Sequence, residues 1–567
     1  MSTNDTEDDR TLRDRVAENP RPAAVWLAGF AVLILLELGR FADGATNLGI
    51  IAELGVAAVV GTAKLIGGNV GSTVADPLGP VVFALTLVLI LAGLAGIIRS
   101  LIPFSPTKTL DLDVPDARRV LVDRVLVTAA LAGLTALLML TPVGDAVDTG
   151  VAAIISGLDA ASNLPTITSR ELIPNQGHRL PEGGWEGTFL GLSPAVAWFI
   201  RVCVVYGYAF LLLYWFWRGY LTYRDHYREA DWAPIDDTTN RLRGHPWGQA
   251  GLVIVIMFVV MAVWAPALGP VTAEENLYQP YQNEHTYLND NGELETSAHG
   301  TLNIQTRSNG DSNVGPFSYD QYDRWAPFGT NSDGKDLFTF LMYGARTSLV
   351  IGLLATGLSA GFALALAMVT AYYRGLVDLV AVIGSDSIQS VPFILLVLLL
   401  FVVFREADHP IVSLYDGGIL LALILAFTYW PALWRSIRGP SLQIAQAEWI
   451  DAAKSFGQRP SVTMRKHMAP YVVIYIIIYA SLVLGTIVIT TAALSFLGLG
   501  INPPTPEWGR MIAEGRSFIS TKSWHVATIP GILIVFVVTG FNAFGDALRD
   551  AMDVQADVGG EGGGGGA

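Results

Sequence analysis

Residues 250–268 read AGLVIVIMFVVMAVWAPAL, nineteen positions without a charged side chain. About 20 apolar residues in helical conformation cross a hydrocarbon core of roughly 30 Å. Lipid offers no hydrogen bonds to the backbone, so such a segment must close its own as a helix. A helix of a soluble protein keeps one polar face, and this stretch has none. Similar runs recur along the chain. We place ten spans at roughly 23–41, 79–101, 119–141, 190–217, 249–267, 346–371, 388–404, 417–434, 470–494 and 524–545. The expected fold class is an all-α membrane protein with about ten transmembrane helices.

Composition agrees with this reading. Of 567 residues 52% are hydrophobic and only 15% charged, where soluble domains carry about 25%. The mean hydropathy is +0.45. Fifty acids against 35 bases leave a net charge of −15, which argues against nucleic-acid binding, since that requires a basic face. The only lysines are Lys64, Lys108, Lys335, Lys454, Lys466 and Lys522. Acidic, lysine-poor chains suit high salt, so a halophilic source is expected, to be tested by stability against KCl. The single cysteine, Cys203, can form neither an intrachain disulfide nor a cysteine metal site. It is expected as a small buried hydrophobe.

Basic residues orient the spans. Loop 99–124 carries Arg99, Lys108, Arg118, Arg119 and Arg124. Loop 218–247 carries Arg218, Arg224, Arg228, Arg241 and Arg243. Loop 435–466 carries Arg435, Arg438, Lys454, Arg459, Arg465 and Lys466. Placing all three in the cytoplasm puts 142–189 and 268–340 outside and both termini inside. The acidic N-terminus MSTNDTEDDRTLRDR lacks the basic region of a signal peptide. Four segments follow: a polar cytoplasmic stretch 1–22, a four-helix region 23–245, a six-helix domain 246–555, and a Gly-rich tail 556–567. The external segment 268–340 reads as a partly ordered surface loop or as a docking surface for an extracytoplasmic partner. In the first third, Asn47–Lys64 and Ala146–Ser162 form a weak repeat of stretches suited to lie on the bilayer surface. The competing reading makes 47–66 membrane-spanning.

The loop with the most chemistry is Ala447–Pro470, AEWIDAAKSFGQRPSVTMRKHMAP. Good helix formers fill Glu448–Phe456, and Glu448 and Asp451 stand in the first turn, where the helix dipole favours acids. Gly457 follows at the C′ position and Pro460 blocks continuation. Ile450, Ala453, Lys454 and Phe456–Gly457 are expected to form an apolar strip that fits a groove on a soluble partner.

This loop resembles the Glu-Ala-Ala, Gly, Ile-x-Leu-Pro loop of ABC importer permeases, here Asp451-Ala452-Ala453, Gly457 and Pro470. His467 and Ala469 depart from the family's Ile and Leu. Other blocks resemble the dipeptide/oligopeptide/nickel branch. Gly329, Thr330, Gly334 and Asp336 with Gly344 and Arg346 match the segment before its second span. Asp386 and Pro392 resemble the entry to its third span; Trp430, Arg435 and Arg438 resemble the exit of its fourth. Leu494, Ser495, Phe496, Gly498 and Gly500, then Pro504, Trp508 and Gly509, match a further block. Asn542, Asp546, Arg549 and Asp550 match the C-terminal end. The matched blocks run over about residues 245–553. The resemblance implies a type I ABC importer permease fold of six helices and a plasma-membrane location. It also implies a second permease chain, two ATP-binding subunits, and a substrate-binding protein that delivers peptides or a small solute such as nickel. Glu448–Gly457 would couple the permease to the ATPase, with ATP and Mg held in the partners and no cofactor bound by this chain.

Gly329–Asp336 (GTNSDGKD) nearly matches a P-loop, but Asp336 replaces the Ser/Thr that would hold Mg²⁺, and no apolar strand precedes it. The spans carry no deep carboxylate pair or histidine cluster of the kind a proton relay uses. A membrane enzyme would need a nucleophile, metal set or phosphate cradle that no motif supplies. The remaining rival is a non-transport scaffold or sensor built on the same fold.

Overall fold

The computed structural model describes residues 12–45, 106–109, 115–140, 142–228, 234–308, 310–406 and 409–552, with a few positions between 82 and 92. Stretch 47–64, tail 556–567 and most of the expected span 79–101 lie outside the described residues. The chain divides into two compact units, residues 33–166 with 409–411, and residues 1–32, 167–408 and 412–567. In the first, the helices Asp116–Leu140 and Pro142–Ser162 follow one another, and the expected stretch Ala146–Ser162 is helical.

The larger unit is built from ten helices that matter here: α1 Pro194–His226, α2 Pro246–Val263, α3 Leu337–Tyr373, α4 Gly375–Ser390, α5 Phe393–Glu406, α6 Gly418–Ile444, α7 Glu448–Ser455, α8 Ala469–Phe496, α9 Trp508–Gly515 and α10 His525–Met552. Among the described residues six helices are long and apolar enough to span a bilayer. Two further bent pairs bring the total to eight if each pair is one span. The expected span 388–404 is one of these pairs: α4 and α5 meet at 89°. Pro392 has no amide hydrogen to continue the ladder, so the helix breaks there. Leu12–Glu18 and Pro20–Leu36 form the other pair, bent by 99° at the expected first span.

Small residues set the helix crossings, as expected where lipid removes any hydrophobic drive between helices. A Cβ on Gly251 of α2 would lie 2.7 Å from the carbonyl of Gly540 on α10, and one on Gly540 would lie 2.6 Å from Ile254. On the other side, Ala363 and Ala367 of α3 admit Trp430, Leu433, Trp434 and Ile437 of α6, closed by Val472 and Ile476 of α8.

Segment 268–340 is a folded unit rather than the partly ordered loop expected. Glu284–Leu288 pairs antiparallel with Leu294–Ala298, and a helix His299–Thr306 follows. Tyr287, Leu302 and Tyr322 make its core, and Arg324 ties it by an ion pair to Asp320 (2.6 Å) and a bond to Asn303 Oδ1 (2.7 Å). Polar composition suggested a loop; a cluster of three apolar side chains and a half-buried arginine decide otherwise.

Two arginines tie residues 167–228 to this segment. Arg201 of α1, fully buried, donates to the carbonyls of Ala267 (2.7 Å), Ile173 (2.9 Å) and Gly269 (2.9 Å). Arg170 donates to Pro266 (3.1 Å), Pro270 (3.0 Å), Gly269 (2.6 Å) and Val271. The chain turns at Pro266 as it leaves α2, which strips these carbonyls of helical partners, and the guanidinium forks supply them. Cys203 departs from expectation. It is exposed, because the inward face of α1 is set by Ala197, Arg201, Val205 and Tyr208, and position 203 points the other way.

Candidate functional site

Helix α7 sits at the C-terminal end of α3. Its Ile450 is fully buried and packs with Ala371, Ala445 and Met468. The Lys454 ammonium lies 5.2 Å from the ring of Tyr372, and Arg374 donates to the carbonyl of Ala445 (3.3 Å). The helix is thus fastened to the ends of α3, α6 and the segment leading to α8. It ends in a Schellman motif: Gln458 N–H reaches Ala453 O (3.1 Å) and Gly457 N–H reaches Lys454 O (2.9 Å). Gly457 adopts φ +71° there, the left-handed conformation open to glycine. The expected apolar strip is corrected. Ile450 and Ala453 face the protein's own core, because the ends of the spans offer apolar cover. The outward face carries Glu448, Trp449, Asp451, Ala452 and Phe456, the last 91% exposed. Beyond it, residues 464–468 form one π-helical turn leading through Pro470 into α8. This turn contains His467 and adjoins Ala469, the two departures from the family pattern.

Above α7, two ion pairs join α4 to α6. Arg438 bonds Asp378 through Nε (2.8 Å) and a second, shorter contact. Arg435 contacts Asp386, Gln389 (2.8 Å) and Ser385 (3.1 Å). The bend at Pro392 opens a cleft of about 380 Å³ lined by Gln389, Ser390, Phe393, Leu396 and Thr428.

The motif positions around Gly329–Arg346 and Leu494–Gly509 converge at the opposite end of the spans. Trp508 is fully buried, its indole N–H bonds Leu341 O (2.8 Å), and its ring faces Phe258. Gly344 must be glycine-sized, since a Cβ there would stand 2.6 Å from that ring. Gly509 lies so close to α8 that a Cβ would fall 1.8 Å from Ala492 O. Glu507 caps α9 by accepting from Gly509 N–H (2.6 Å) and Arg510 N–H (3.2 Å), with Ser495 beside it. Burial pushes its carboxyl up to about 7, against these bonds. Leu494 and Ser495 are buried, while Phe496, Gly498 and Gly500 form the turn out of α8 towards the cis Pro503–Pro504 bond.

The P-loop-like segment is a cap for α3. Asn331 Oδ1 accepts from Asp333 N–H and Lys335 N–H (3.1 and 2.9 Å), and Gly329 and Gly334 take positive φ. Thr330 is buried, its carbonyl against His525 (3.0 Å). Asp336 accepts from Thr339 N–H (2.6 Å), so the carboxylate occupies the helix N-terminus that a phosphate would need. Burial pushes Asp336 up to about 7. Arg346 donates to Ala262 O (3.3 Å). Asn542, Asp546, Arg549 and Asp550 share the exposed side of α10; Asp550 meets His245 at 3.6 Å.

Several residues escaped sequence reading: Arg170, Arg201, Asp378 and Glu507. Only Arg201 carried a signal, a charge inside an apolar run, which usually means an internal partner.

Against known families, residues 357–555 match the binding-protein-dependent transport system inner membrane component. Residues 234–288 match the N-terminal transmembrane domain of oligopeptide transport permease C. The chain is 30% identical over 321 residues to the dipeptide transport system permease protein DppC of Alkalihalophilus pseudofirmus, covering 57% of this chain and 90% of the relative. It is 30% identical over 322 residues, with the same coverage, to the glutathione transport system permease protein GsiD of Escherichia coli. With most of two relatives' lengths matched and the motif residues seated as described, the chain belongs to the multi-span permease subunits of binding-protein-dependent ABC importers.

Proposed function

We propose that α7 is the element through which ATP-hydrolysing partner subunits move this permease. One observation carries the reading. The helix is bolted to the spans by Ile450 and Lys454 on one face, with Arg374 holding the turn just before it at Ala445, and presents exposed Trp449 and Phe456 beside Glu448 and Asp451 on the other. An exposed aromatic pair ringed by acids suits insertion into an apolar groove. A rigid mount then passes the displacement to α3, α6 and α8. ATP and Mg belong to the partners in this reading, and the chain itself holds no cofactor.

The complex we infer contains a second permease chain, two ATP-binding subunits and an extracytoplasmic binding protein. Residues 246–555 form the permease domain, and both termini lie in the cytoplasm with α7. The relatives named for dipeptide and glutathione transport support short peptides as cargo. The cleft at the α4–α5 bend is our candidate section of the path.

The test is purification of the tagged chain from native membranes in mild detergent. Two P-loop ATPase chains and a second permease should accompany it, and Phe456→Cys should cross-link to an ATPase. Recovery of the chain alone, where a control complex survives, would favour a non-transport scaffold.

A further inference from the structure

Two bulky apolar residues sit in backbone conformations that disfavour them. Leu190 has φ 52° and Phe317 has φ 56°, in the left-handed region that large L-residues rarely enter. Both point outward, Leu190 82% and Phe317 71% exposed. Glycine or asparagine would relieve the backbone at a position that merely faced water. Strain retained at exposed apolar tips calls for a purpose outside the chain.

Their location supplies one. Leu190 lies four residues before α1 begins at Pro194. Phe317 lies two residues before Tyr319, whose hydroxyl accepts from Ala195 N–H in the first turn of α1 (3.1 Å). The two loops are joined by Trp185, stacked on Tyr319 at 6.0 Å. From there rings follow one another inward: Tyr319 to Trp325 (5.1 Å), Trp325 to Trp198 (6.3 Å), and Trp198 to Phe338 of α3 (5.2 Å). This series packs both loops onto the first turns of α1 and α3, the ends at which these spans leave the hydrocarbon. Val196 and Phe199 are exposed in the first two turns of α1, which makes the apolar surface continuous with the lipid-facing side of that helix. Arg179, 5.5 Å from the Trp185 ring and about half exposed, is held in place by Asp323 at 3.7 Å.

We propose that Leu190 and Phe317 are a two-pronged lipid anchor. They insert among the acyl chains of the adjoining leaflet, at the end of the spans opposite α7. The anchor fixes the height of the folded segment 268–340 above the bilayer, because Phe317 and its neighbours belong to that segment.

The experiment uses the full chain in nanodiscs of phosphatidylethanolamine and phosphatidylglycerol. In a Cys203→Ala background, Leu190→Cys and Phe317→Cys carry nitroxide labels, with Phe199→Cys as lipid reference and Asn291→Cys, in the exposed hairpin turn, as water reference. Both test positions should match Phe199 in oxygen collision and lose the broadening by an aqueous nickel chelate that Asn291 shows. Chelate access equal to Asn291 overturns the anchor. So does an immobilised label shielded from both reagents, which would mean a protein contact instead. The unsubstituted chain gives a second measurement free of folding effects. Diazirine-bearing acyl chains should label peptides containing Leu190 and Phe317. Labelling confined to the helices would overturn the proposal.

Discussion

Replacing Gly457 isolates the backbone conformation of the α7 mount from any steric effect. The residue holds φ +71° and a Cβ built there meets nothing within 4 Å. Alanine therefore adds strain without a clash, about 1–2 kcal/mol for an L-residue in the left-handed region. That cost corresponds to a factor of roughly 5–30 in the population of the native turn. Asparagine tolerates this region, and a β-branched residue resists it most. The expected order of coupled transport is Gly457 ≈ Gly457→Asn > Gly457→Ala > Gly457→Val, with the valine variant closest to uncoupled. Gly439, also free of close neighbours but inside helix α6, supplies the control, and Gly439→Ala should leave transport unchanged. The assay is peptide uptake alongside peptide-stimulated ATP hydrolysis, in proteoliposomes holding the complete complex. Each value is normalised to assembled permease, so misfolding is separated from uncoupling. Valine with wild-type uptake would refute the reasoning. Asparagine as damaging as valine would refute it differently, by showing that side-chain bulk against the partner governs the site.

Arg201→Leu should loosen segment 268–340 and expose it to protease, because the carbonyls of Ala267 and Ile173 lose their arginine donor at about 1–3 kcal/mol each, while Gly269 keeps Arg170. Gly509→Ala, with its Cβ 1.8 Å from Ala492 O, should lower the thermal midpoint in detergent. Gly531→Ala, with open space around it, should leave the midpoint unchanged. Reversing one charge by Arg438→Asp should impair uptake, and adding Asp378→Arg should restore part of it if their pairing holds α4 on α6. Burial pushes His299 down to about 4 from 6.5, with Glu275, Arg324 and His285 facing it. The folded value lies below the unfolded one. Its contribution to stability is therefore complete above about 6.5 and fades as pH falls toward 4. The drop in thermal midpoint between pH 7 and pH 5 should be smaller in His299→Gln than in the parent, and an equal drop would count against the buried neutral imidazole.

Membrane insertion and helicity were legible in 250–268 because lipid leaves the backbone no alternative to internal hydrogen bonds, whatever lies nearby. The turn at Gly457 was readable for the same local reason: helix formers, a glycine and a proline in order dictate a C-terminal stop without help from distant residues. The outward face of α7 was not readable. Which side of an eight-residue helix is covered depends on Ala371, Ala445 and Met468, and their arrival beside Ile450 is a tertiary event. The 89° bend is an intermediate case. Pro392 announced a break, but its angle is set by what α4 and α5 pack against, including the Asp378–Arg438 and Asp386–Arg435 pairs. Segment 268–340 shows the limit most clearly, since each stretch is too polar to fold by itself. Order comes from Tyr287, Leu302 and Tyr322 meeting across 35 positions, and from Arg170 and Arg201, which reach carbonyls 66 or more residues away. Local chemistry thus determined that the chain enters the membrane and where α7 stops. Long-range packing decided which faces those helices cover and which they offer to partners, because burial is a property of the neighbours.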